Sequence, residues 1–378
     1  MDFLLEGIMS VTWQQCVMYV VGILLIFLAI KKQYEPSLLL PMGFGAILVN
    51  LPSSGVVNQF INGVGETSGI IEWLFNVGIN GSEAMPLLLF IGIGAMIDFG
   101  PLLAQPVYLL FGAAAQFGIF AAITVSAFLG FDLRDAAAIG IIGAADGPTS
   151  ILVSQILHSK YIGAIAVAAY SYMALVPIVQ PFAIKLVTTK KERAIKMTYT
   201  GAEISKTAKI IFPIASTIIV GFIAPESIAL VGFLMFGNLI RECGVLESLS
   251  ETAQKVLANL ITLLLGITIS FSMKAESFVT PSTLLIMAIG LAAFVFDTIG
   301  GVLFAKFLNI FRKNKINPMV GAAGISAFPM ASRVVQKMAL KEDSSNFILM
   351  QAAGANVAGQ IASVVAGGLV ISLVSNYL

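Results

Sequence analysis

Long apolar runs separated by short polar stretches recur along almost the whole chain. Many of them reach about 20 residues, the length that a helix needs to cross a membrane. They are too uniformly apolar to be amphipathic surface helices, so the pattern predicts a membrane protein built of helices. In the first half the predicted apolar segments are 13–30, 37–51, 85–103, 107–129, 136–157 and 162–184, with a short amphipathic piece at 70–79 inside the linker 52–83.

The fifth of these segments is interrupted at its centre by Gly140, Gly143, Asp146, Gly147 and Pro148, and such residues break a continuous helix. The positive-inside bias places the basic stretch 185–209 in the cytoplasm and the linker 52–83, which has no Lys or Arg, outside. An odd number of crossings must connect the two, yet four apolar segments lie between them. The broken segment is therefore predicted to be re-entrant, because irregular backbone at membrane depth needs protein or a water-filled cavity to cover it.

The second half of the chain repeats the first, and a second break at 323–329, ending in Pro329, lines up with the first break at 142–148. The first half starts outside and the second half starts inside. The sequence thus predicts an all-α polytopic membrane protein, an inverted repeat of five transmembrane helices plus one re-entrant segment in each half. The predicted units are residues 1–200 and 201–378, and repeats of this kind place substrate and ion sites at their interface near the midplane.

Composition supports this class and excludes others. Hydrophobic residues make up 58% of the 378, charged residues only 11%, and the mean hydropathy is +0.96. A net charge of +1 without a basic stripe argues against nucleic acid as a partner. Cys16 and Cys243 are isolated, so no disulfide framework or cysteine-rich metal site is expected.

Asp146 is the leading candidate for a functional residue. A charged side chain at the bilayer centre costs about 2.5–3.5 kcal/mol on insertion scales, so an intramembrane Asp is a functional hypothesis by default. The structural alternative is a cap for the half-helix that begins at Gly147-Pro148. A carboxylate among unwound carbonyls offers hard oxygen ligands, which suit Na⁺ or H⁺ rather than a soft metal.

Other residues are weaker candidates on sequence alone. Ser326, in the second break, is either a ligand or a group that satisfies the loop backbone. Arg333 either reaches the inner aqueous face or partners a carboxylate, and Tyr172 is a packing or interface residue on general grounds. Asp98 ranks second and Asp297 third among the acidic residues of apolar segments. In the last segment the amide side chains Gln351, Asn356 and Gln360 recur at roughly helical spacing and favour a polar interior.

At these residues the chain resembles the β subunit of the sodium-translocating biotin-dependent decarboxylases, the group of oxaloacetate, methylmalonyl-CoA, glutaconyl-CoA and malonate decarboxylases. The likeness covers nearly the whole chain. It rests on the segments 94–103, 140–150, 170–177, 315–333 and 356–359, which include the Asp-Gly-Pro and Tyr-Ser-Tyr-Met motifs.

The resemblance implies a subunit of the cell (inner) membrane that decarboxylates carboxybiotin, consumes a proton and moves Na⁺ outward. Matched motif to motif, it gives catalytic roles to Asp146, Tyr172, Ser326 and Arg333, with Arg333 and Asn317 contacting carboxybiotin. The expected Na⁺ ligands are Asp146, Asn317, Ser326 and Asn356. Gly321 matches the glycine of the family's second break. Either Tyr172 or Asp146 supplies the proton.

The implied partners are a carboxyltransferase α subunit, a biotin carrier subunit, a small single-span membrane subunit and membrane lipid, and a homo-oligomer of this subunit is allowed. The short linker 52–83 favours an acyl-CoA decarboxylase complex over the oxaloacetate type, whose linker is longer. The alternatives are an oxaloacetate decarboxylase β subunit and a sodium-coupled secondary carboxylate transporter without chemistry. A purely structural anchor is disfavoured by the buried Asp146.

Overall fold

The computed structural model describes residues 7, 9–33, 35–61, 63, 65–81, 83–197 and 204–377. The predicted boundary between the halves, at 200 and 201, lies outside these residues. The described chain is almost entirely helical, as its apolar pattern predicted, and a single short hairpin interrupts it in the predicted outer linker.

The elements of the first half follow the predicted segments closely. The helices are α1 (Trp13–Lys32), α2 (Pro36–Val49), α3 (Ile70–Phe75), α4 (Ala84–Met96), α5 (Gly100–Ala104), α6 (Tyr108–Ala114), α7 (Phe117–Phe128), α8 (Leu133–Gly140), α9 (Gly147–Ile156), α10 (Ile162–Val187) and α11 (Lys190–Arg193). A π turn, Asn76–Asn80, extends α3, and a 3-10 turn, Ile141–Ala144, extends α8.

The hairpin between α2 and α3 was not predicted. Its strands β1 (Asn58–Ile61) and β2 (Gly65–Ser68) pair antiparallel, with Asn58 opposite Ser68 and Ile61 opposite Gly65. The predicted amphipathic piece at 70–79 is confirmed as α3 and its π turn.

The second half contains the remaining helices. They are α12 (Lys206–Ile223), α13 (Ile228–Glu242), α14 (Glu247–Glu251), α15 (Ala258–Ile269), α16 (Ala275–Phe278), α17 (Pro281–Phe311), α18 (Met319–Ala322), α19 (Met330–Glu342) and α20 (Leu349–Tyr377). Short 3-10 turns precede α13 and follow α15, and a π turn, Thr252–Leu257, joins α14 to α15.

Six helical stretches of the described chain are long and apolar enough to cross a membrane, which confirms a polytopic membrane protein. They are Trp13–Lys32, Tyr108–Phe128, Lys206–Ile223, Glu247–Met273, Pro281–Phe311 and Leu349–Tyr377. Two bent pairs raise the number to eight: α3 with its π turn meets α4 at 65°, and α10 bends by 73° between Met173 and Leu175. The prediction of five crossings in each half is therefore supported in kind, and its exact number stays a prediction.

Close helix packing depends on glycines that face backbone. A Cβ on Gly22 of α1 would lie 2.7 Å from the Gly43 carbonyl oxygen of α2, and one on Gly321 of α18 would lie 2.0 Å from the Gly301 carbonyl oxygen of α17. In membranes, where lipid is as apolar as the helix surface, such small residues let backbones approach and gain dispersion contacts.

The segment after α10 is bonded to the elements on both sides of the second break. Arg193 is buried and pairs with Glu342 of α19 at 2.6 Å, while Lys306 of α17 pairs with Glu192 at 2.9 Å. The Asn317 amide donates to the carbonyls of Arg193 and Ile195 at 2.8 and 2.9 Å. The predicted cytoplasmic stretch thus holds both ends of the region that contains the second break.

Gly321→Ala is predicted to destabilise the protein by about 1–3 kcal/mol, because the new methyl group meets backbone that has no flexible side chain to move aside. The measurement is the midpoint of thermal unfolding in detergent. Gly232→Ala, on α13 where nothing lies within 4 Å of a new Cβ, is the matched control and is expected to leave the midpoint unchanged. Equal midpoints for the two variants would contradict the close α17–α18 contact.

Candidate functional site

The site is built around the first break, where Asp146 ends the turn that follows α8 and begins α9. Ala145 takes the left-handed conformation (φ 52°), so the chain reverses direction there. The Asp146 side chain is 3% exposed, and its Oδ1 accepts the Thr149 backbone N–H at 3.3 Å. The predicted break and the predicted cap are both present, and the positive end of the α9 dipole faces the carboxylate.

Helix α20 supplies the other partners of this carboxylate. Asp146 Oδ2 accepts the Ser363 hydroxyl at 2.8 Å and the Gln360 amide at 3.3 Å. The side chains of Thr149 and Ser326 also lie close enough to act on the carboxyl group. Capping alone would use one of the two oxygens. The extra donors therefore stabilise the negative charge of the Asp146 carboxylate beyond what a helix start requires.

The second break contacts the first directly. Both the backbone N–H and the hydroxyl of Ser326 donate to the Ala144 carbonyl, at 3.2 and 2.9 Å. Ser326 therefore satisfies loop backbone, one of its two predicted alternatives, while lying beside the Asp146 carboxyl. The two breaks meet tip to tip in the interior of the protein.

Asn356 of α20 reaches the same place from the second half. Its amide donates to the Ile325 carbonyl at 2.7 Å, next to Ser326. Its Oδ1 is buried and has no hydrogen-bond partner among the described residues. Buried polar oxygens are normally paired, so unpaired ones beside a carboxylate are candidate ligands for a cation.

Tyr170, and not Tyr172, is the phenol beside the Asp146-Gly147 end of the first break. A Cβ on Gly147 would lie 2.3 Å from two carbons of the Tyr170 ring, so this glycine is required by the ring. Tyr170 is 2% exposed, its hydroxyl has no partner among the described residues, and it interacts electrostatically with Asp146. Residues two apart on a helix point in nearly opposite directions, so Tyr172 faces elsewhere.

Tyr172 lies against α17, where its hydroxyl donates to the Met287 carbonyl. Its ring approaches Gly290, where a Cβ would lie 3.1 Å from it, and it packs with the apolar side chains Ile142 and Ile289. None of its contacts in the described structure reaches Asp146, and its predicted catalytic role stays a prediction.

Asn317 and Arg333 lie away from the carboxylate. Besides its two bonds to the segment after α10, Asn317 uses its Oδ1 to accept the Met319 N–H at 3.1 Å, so its side chain holds the start of α18. Arg333 is exposed on α19, along the stripe that also carries Lys337 and Lys341. Among the described residues no hydrogen bond or salt bridge joins either of them to Asp146, and their predicted roles in binding Na⁺ or carboxybiotin stay proposals.

Arg333 has a carboxylate in its surroundings, although no salt bridge joins the two among the described residues, so the predicted partnership stays a prediction. Glu35, in the turn before α2, lies close enough for Arg333 to act on it: burial raises the pKa of the Glu35 carboxyl, and the Arg333 guanidinium partly offsets that rise. Arg333 is thus both exposed and near an acidic group of the first half.

The other acidic candidates differ sharply from each other. Asp98 is half-exposed, accepts the Gly100 N–H at 2.9 Å and pairs with Lys209 at 3.4 Å, as expected near the inner interface. Asp297 has no exposed surface and lies inside α17. In the described part of the chain no group of three His, Cys, Asp or Glu side chains forms a conventional metal centre.

Sequence reasoning missed Ser363 and Tyr170. Ser363 continues the amide stripe of α20, because Asn356, Gln360 and Ser363 are spaced four and three residues apart and share one helix face. That spacing was a usable signal. Tyr170 gave none, since only the packing of α10 decides which of two neighbouring tyrosines faces the break.

A polytopic helical protein with a buried, multiply hydrogen-bonded carboxylate between two opposed breaks has the features of a membrane ion-transport protein. Residues 14–374 match the family described as the Na⁺-transporting oxaloacetate decarboxylase beta subunit. The chain belongs to this family, and it is a membrane subunit of a sodium-transporting decarboxylase. The family resemblance expected from the sequence motifs is confirmed.

Relatives across the family cover nearly the whole chain. It is 46% identical to the glutaconyl-CoA decarboxylase subunit beta of Acidaminococcus fermentans, over 98% of this chain and 96% of that protein. It is 46% identical, with the same coverage, to the methylmalonyl-CoA decarboxylase subunit beta of Veillonella parvula. It is 44% identical to the oxaloacetate decarboxylase beta chain 2 of Salmonella typhimurium, over 97% of both chains.

The two tyrosines are predicted to respond differently to removal of the hydroxyl. Tyr172→Phe deprives the Met287 carbonyl of a donor and is expected to cost about 0.5–1.5 kcal/mol of stability. Tyr170→Phe loses no protein hydrogen bond and is expected to leave stability unchanged. Thermal unfolding in sodium-free detergent measures both, and a larger loss for Tyr170→Phe would show that its hydroxyl is bonded within the protein.

Proposed function

We propose that this chain decarboxylates carboxybiotin in the membrane and couples the reaction to outward Na⁺ transport with consumption of a proton. The observation that carries the proposal is the arrangement of oxygens at the meeting of the two breaks. The Asp146 carboxylate lies there with the Ser326 and Thr149 hydroxyls and with oxygens of Tyr170 and Asn356 that have no hydrogen-bond partner among the described residues. Hard oxygen donors with one negative charge suit a hard monovalent cation.

The helix packing supports an inverted repeat around this site. Three contacts between the halves have a matching contact elsewhere. The contact of α2 with α15 is matched by that of α13 with α4. The contact of α10 with α17 is matched by that of α20 with α6, and the contact of α10 with α19 by that of α20 with α9. In each comparison the second contact follows from the first by exchanging equivalent helices of the two halves, α2 with α13, α4 with α15, α6 with α17, α9 with α19 and α10 with α20. We propose that the two halves rock against each other about the two breaks and so expose Asp146 to each side in turn.

The chemistry at Asp146 is an exchange of cations. Its carboxylate accepts up to three protein donors, and Na⁺ binding would displace the weaker ones, the Thr149 N–H and the Gln360 amide at 3.3 Å each. A proton taken up by the carboxylate favours release of the ion, because the neutral acid no longer attracts it. Asp146 thus holds Na⁺ and the proton in alternation.

Arg333 is suited to binding the carboxylate of the substrate. It is exposed on α19 and, with Lys337 and Lys341, forms a basic face that would bind a carboxylate by charge-assisted hydrogen bonds. Carboxybiotin supplies the reacting carboxylate: its C–N bond breaks, CO₂ leaves, and the ring nitrogen takes a proton. The role of this chain is to orient that carboxylate and deliver the proton, with Asp146 and Tyr172 as donor candidates.

The complex we propose contains a carboxyltransferase α subunit, a biotin carrier and a small single-span membrane subunit. Relatives named as beta chains or beta subunits support a multisubunit assembly. An acyl-CoA substrate is supported by alignment length. The glutaconyl-CoA and methylmalonyl-CoA relatives align over 369 and 372 positions, whereas the oxaloacetate relative needs 421, more positions than this chain has residues.

Asp146→Asn is predicted to abolish Na⁺-dependent decarboxylation and Na⁺ uptake, because the amide keeps the size of the side chain and removes its charge. The assay uses vesicles that contain the complete complex, with ²²Na⁺ and an acyl-CoA substrate. Asp132→Asn is the matched control, since Asp132 caps α8 at the exposed surface by accepting the Arg134 N–H.

Undiminished Na⁺-dependent turnover in the Asp146→Asn complex would refute the proposal. Na⁺ movement by wild-type vesicles without any carboxybiotin donor, driven only by a carboxylate gradient, would instead favour the secondary transporter.

A further inference from the structure

A second carboxylate, that of Asp297, is buried in the membrane region without a role in the site described above. It lies in the middle of α17 with no exposed surface. Its Oδ1 accepts the backbone N–H of Gly118 at the start of α7, and the Ile119 amide lies within range of the same carboxyl. Asp297 therefore binds the short interruption between α6 and α7 inside the membrane-spanning stretch Tyr108–Phe128.

The other oxygen of this carboxyl faces the first break. A Cβ on Gly143 would lie 2.8 Å from Asp297 Oδ2, and one on Gly118 would lie 2.6 Å from Oδ1. Glycine at both positions leaves room for the carboxyl between the backbones of two broken segments. Asp297 Oδ2 is buried and has no hydrogen-bond partner among the described residues.

Capping does not account for a carboxylate here. An N-terminal cap needs one oxygen acceptor, which Ser, Thr or Asn supplies without a charge. A buried carboxylate carries a desolvation cost, and an unpaired buried oxygen adds to it. The neighbours do not compensate, because Ala293 lines the same space and the Thr298 hydroxyl is bonded to the Phe294 carbonyl of its own helix.

No opposite charge pairs with Asp297 in the described structure. The titratable and charged groups on the elements packed against α17, and on α17 itself, are Tyr108, Arg134, Asp135, Asp146, Tyr161, Tyr170, Tyr172, Lys185 and Lys306. Asp135 is bonded to Ser159 and Lys160, and Lys306 pairs with Glu192. Among the described residues, no salt bridge joins Asp297 to a basic group, and the hydrogen bond found for its carboxyl is the one from Gly118.

We propose that the Asp297 carboxyl binds and releases a proton during turnover, separately from Asp146. A proton needs a single oxygen, which Oδ2 offers, whereas a metal cation needs several. A lone pair of Oδ2 forms the O–H bond with a proton delivered by water, and release returns the proton to water. The carboxylate is favoured by the α7 amides, and the neutral acid by burial.

The position of Asp297 links this proton to the ion at Asp146. Gly143 stands three residues before Asp146 in the same turn, so a movement of the first break that exposes Asp146 also changes what surrounds Asp297 Oδ2. This step rests on the proposed transport function. The protonation itself does not, because it follows from the buried carboxyl and its free oxygen.

Infrared difference spectroscopy of the complex in lipid vesicles tests the proposal by following the C=O stretching band of buried, protonated carboxyls while the pH is changed. The variants are Asp297→Asn, which keeps an oxygen for the Gly118 N–H, Asp146→Asn and the surface control Asp132→Asn. We expect Asp297→Asn to lose one pH-sensitive band that Asp146→Asn and Asp132→Asn both retain.

A spectrum of Asp297→Asn that matches the wild type at every pH would overturn the proposal. If the Asp297→Asn complex does not assemble, the Asp146→Asn complex decides the question. A pH-sensitive band that remains in its spectrum supports protonation of Asp297, and the loss of every such band refutes it. Addition of NaCl separates the two proposals: an Asp297 band that titrates with protons but does not respond to sodium upholds the protonation site and counts against sodium coupling.

Discussion

The hydrogen bonds from Ser326 to the Ala144 carbonyl hold the two broken segments together, and the rest of the site depends on them. Lipid offers no partners to unwound backbone, so each break must be satisfied by protein. Here the second break satisfies the first. Because the tips meet, α9 and α20 converge on one point, and a carboxylate can be kept there with donors on both oxygens.

The same contact makes the site depend on both halves of the chain. Thr149 and Asp146 come from the first half, whereas Ser326, Asn356 and Ser363 come from the second. A change in the relative position of the halves therefore alters the ligands without breaking either half internally. Transport by relative movement needs such a divided site, and a site built within one half would move as a unit.

The sequence predicted the fold class, most segment bounds and the place of Asp146 at a break in an apolar segment, because composition, charge bias and glycine-proline breaks are local signals. It did not predict the hairpin at 58–68 or the break between Ala114 and Phe117, where a buried Gln116 interrupts an otherwise apolar run. Polar residues inside such runs look the same whether the helix continues or stops. Tertiary contacts such as the one from Asp297 to Gly118 decide between the two.

The site itself was predicted in part. Motif matching placed Asp146 and Ser326 together correctly, and the stripe on α20 indicated a polar interior. The choice between Tyr170 and Tyr172 depends on how α10 turns against its neighbours, which spacing alone does not encode. Asn317 matches a specific motif position, and its side chain bonds the carbonyls of Arg193 and Ile195 and the Met319 N–H, so its predicted role in binding stays a prediction.

The central claim is that the two breaks together form one cation site. Equilibrium ²²Na⁺ binding to the purified complex tests it most directly, in the wild type, in Asp146→Asn, in Asn356→Leu and in the double variant. Residues that share one ion are strongly coupled, so the account predicts that the double variant loses no more affinity than the worse single variant. Additive losses, or unchanged affinity in Asn356→Leu, would contradict a site that is shared by the two halves of the chain.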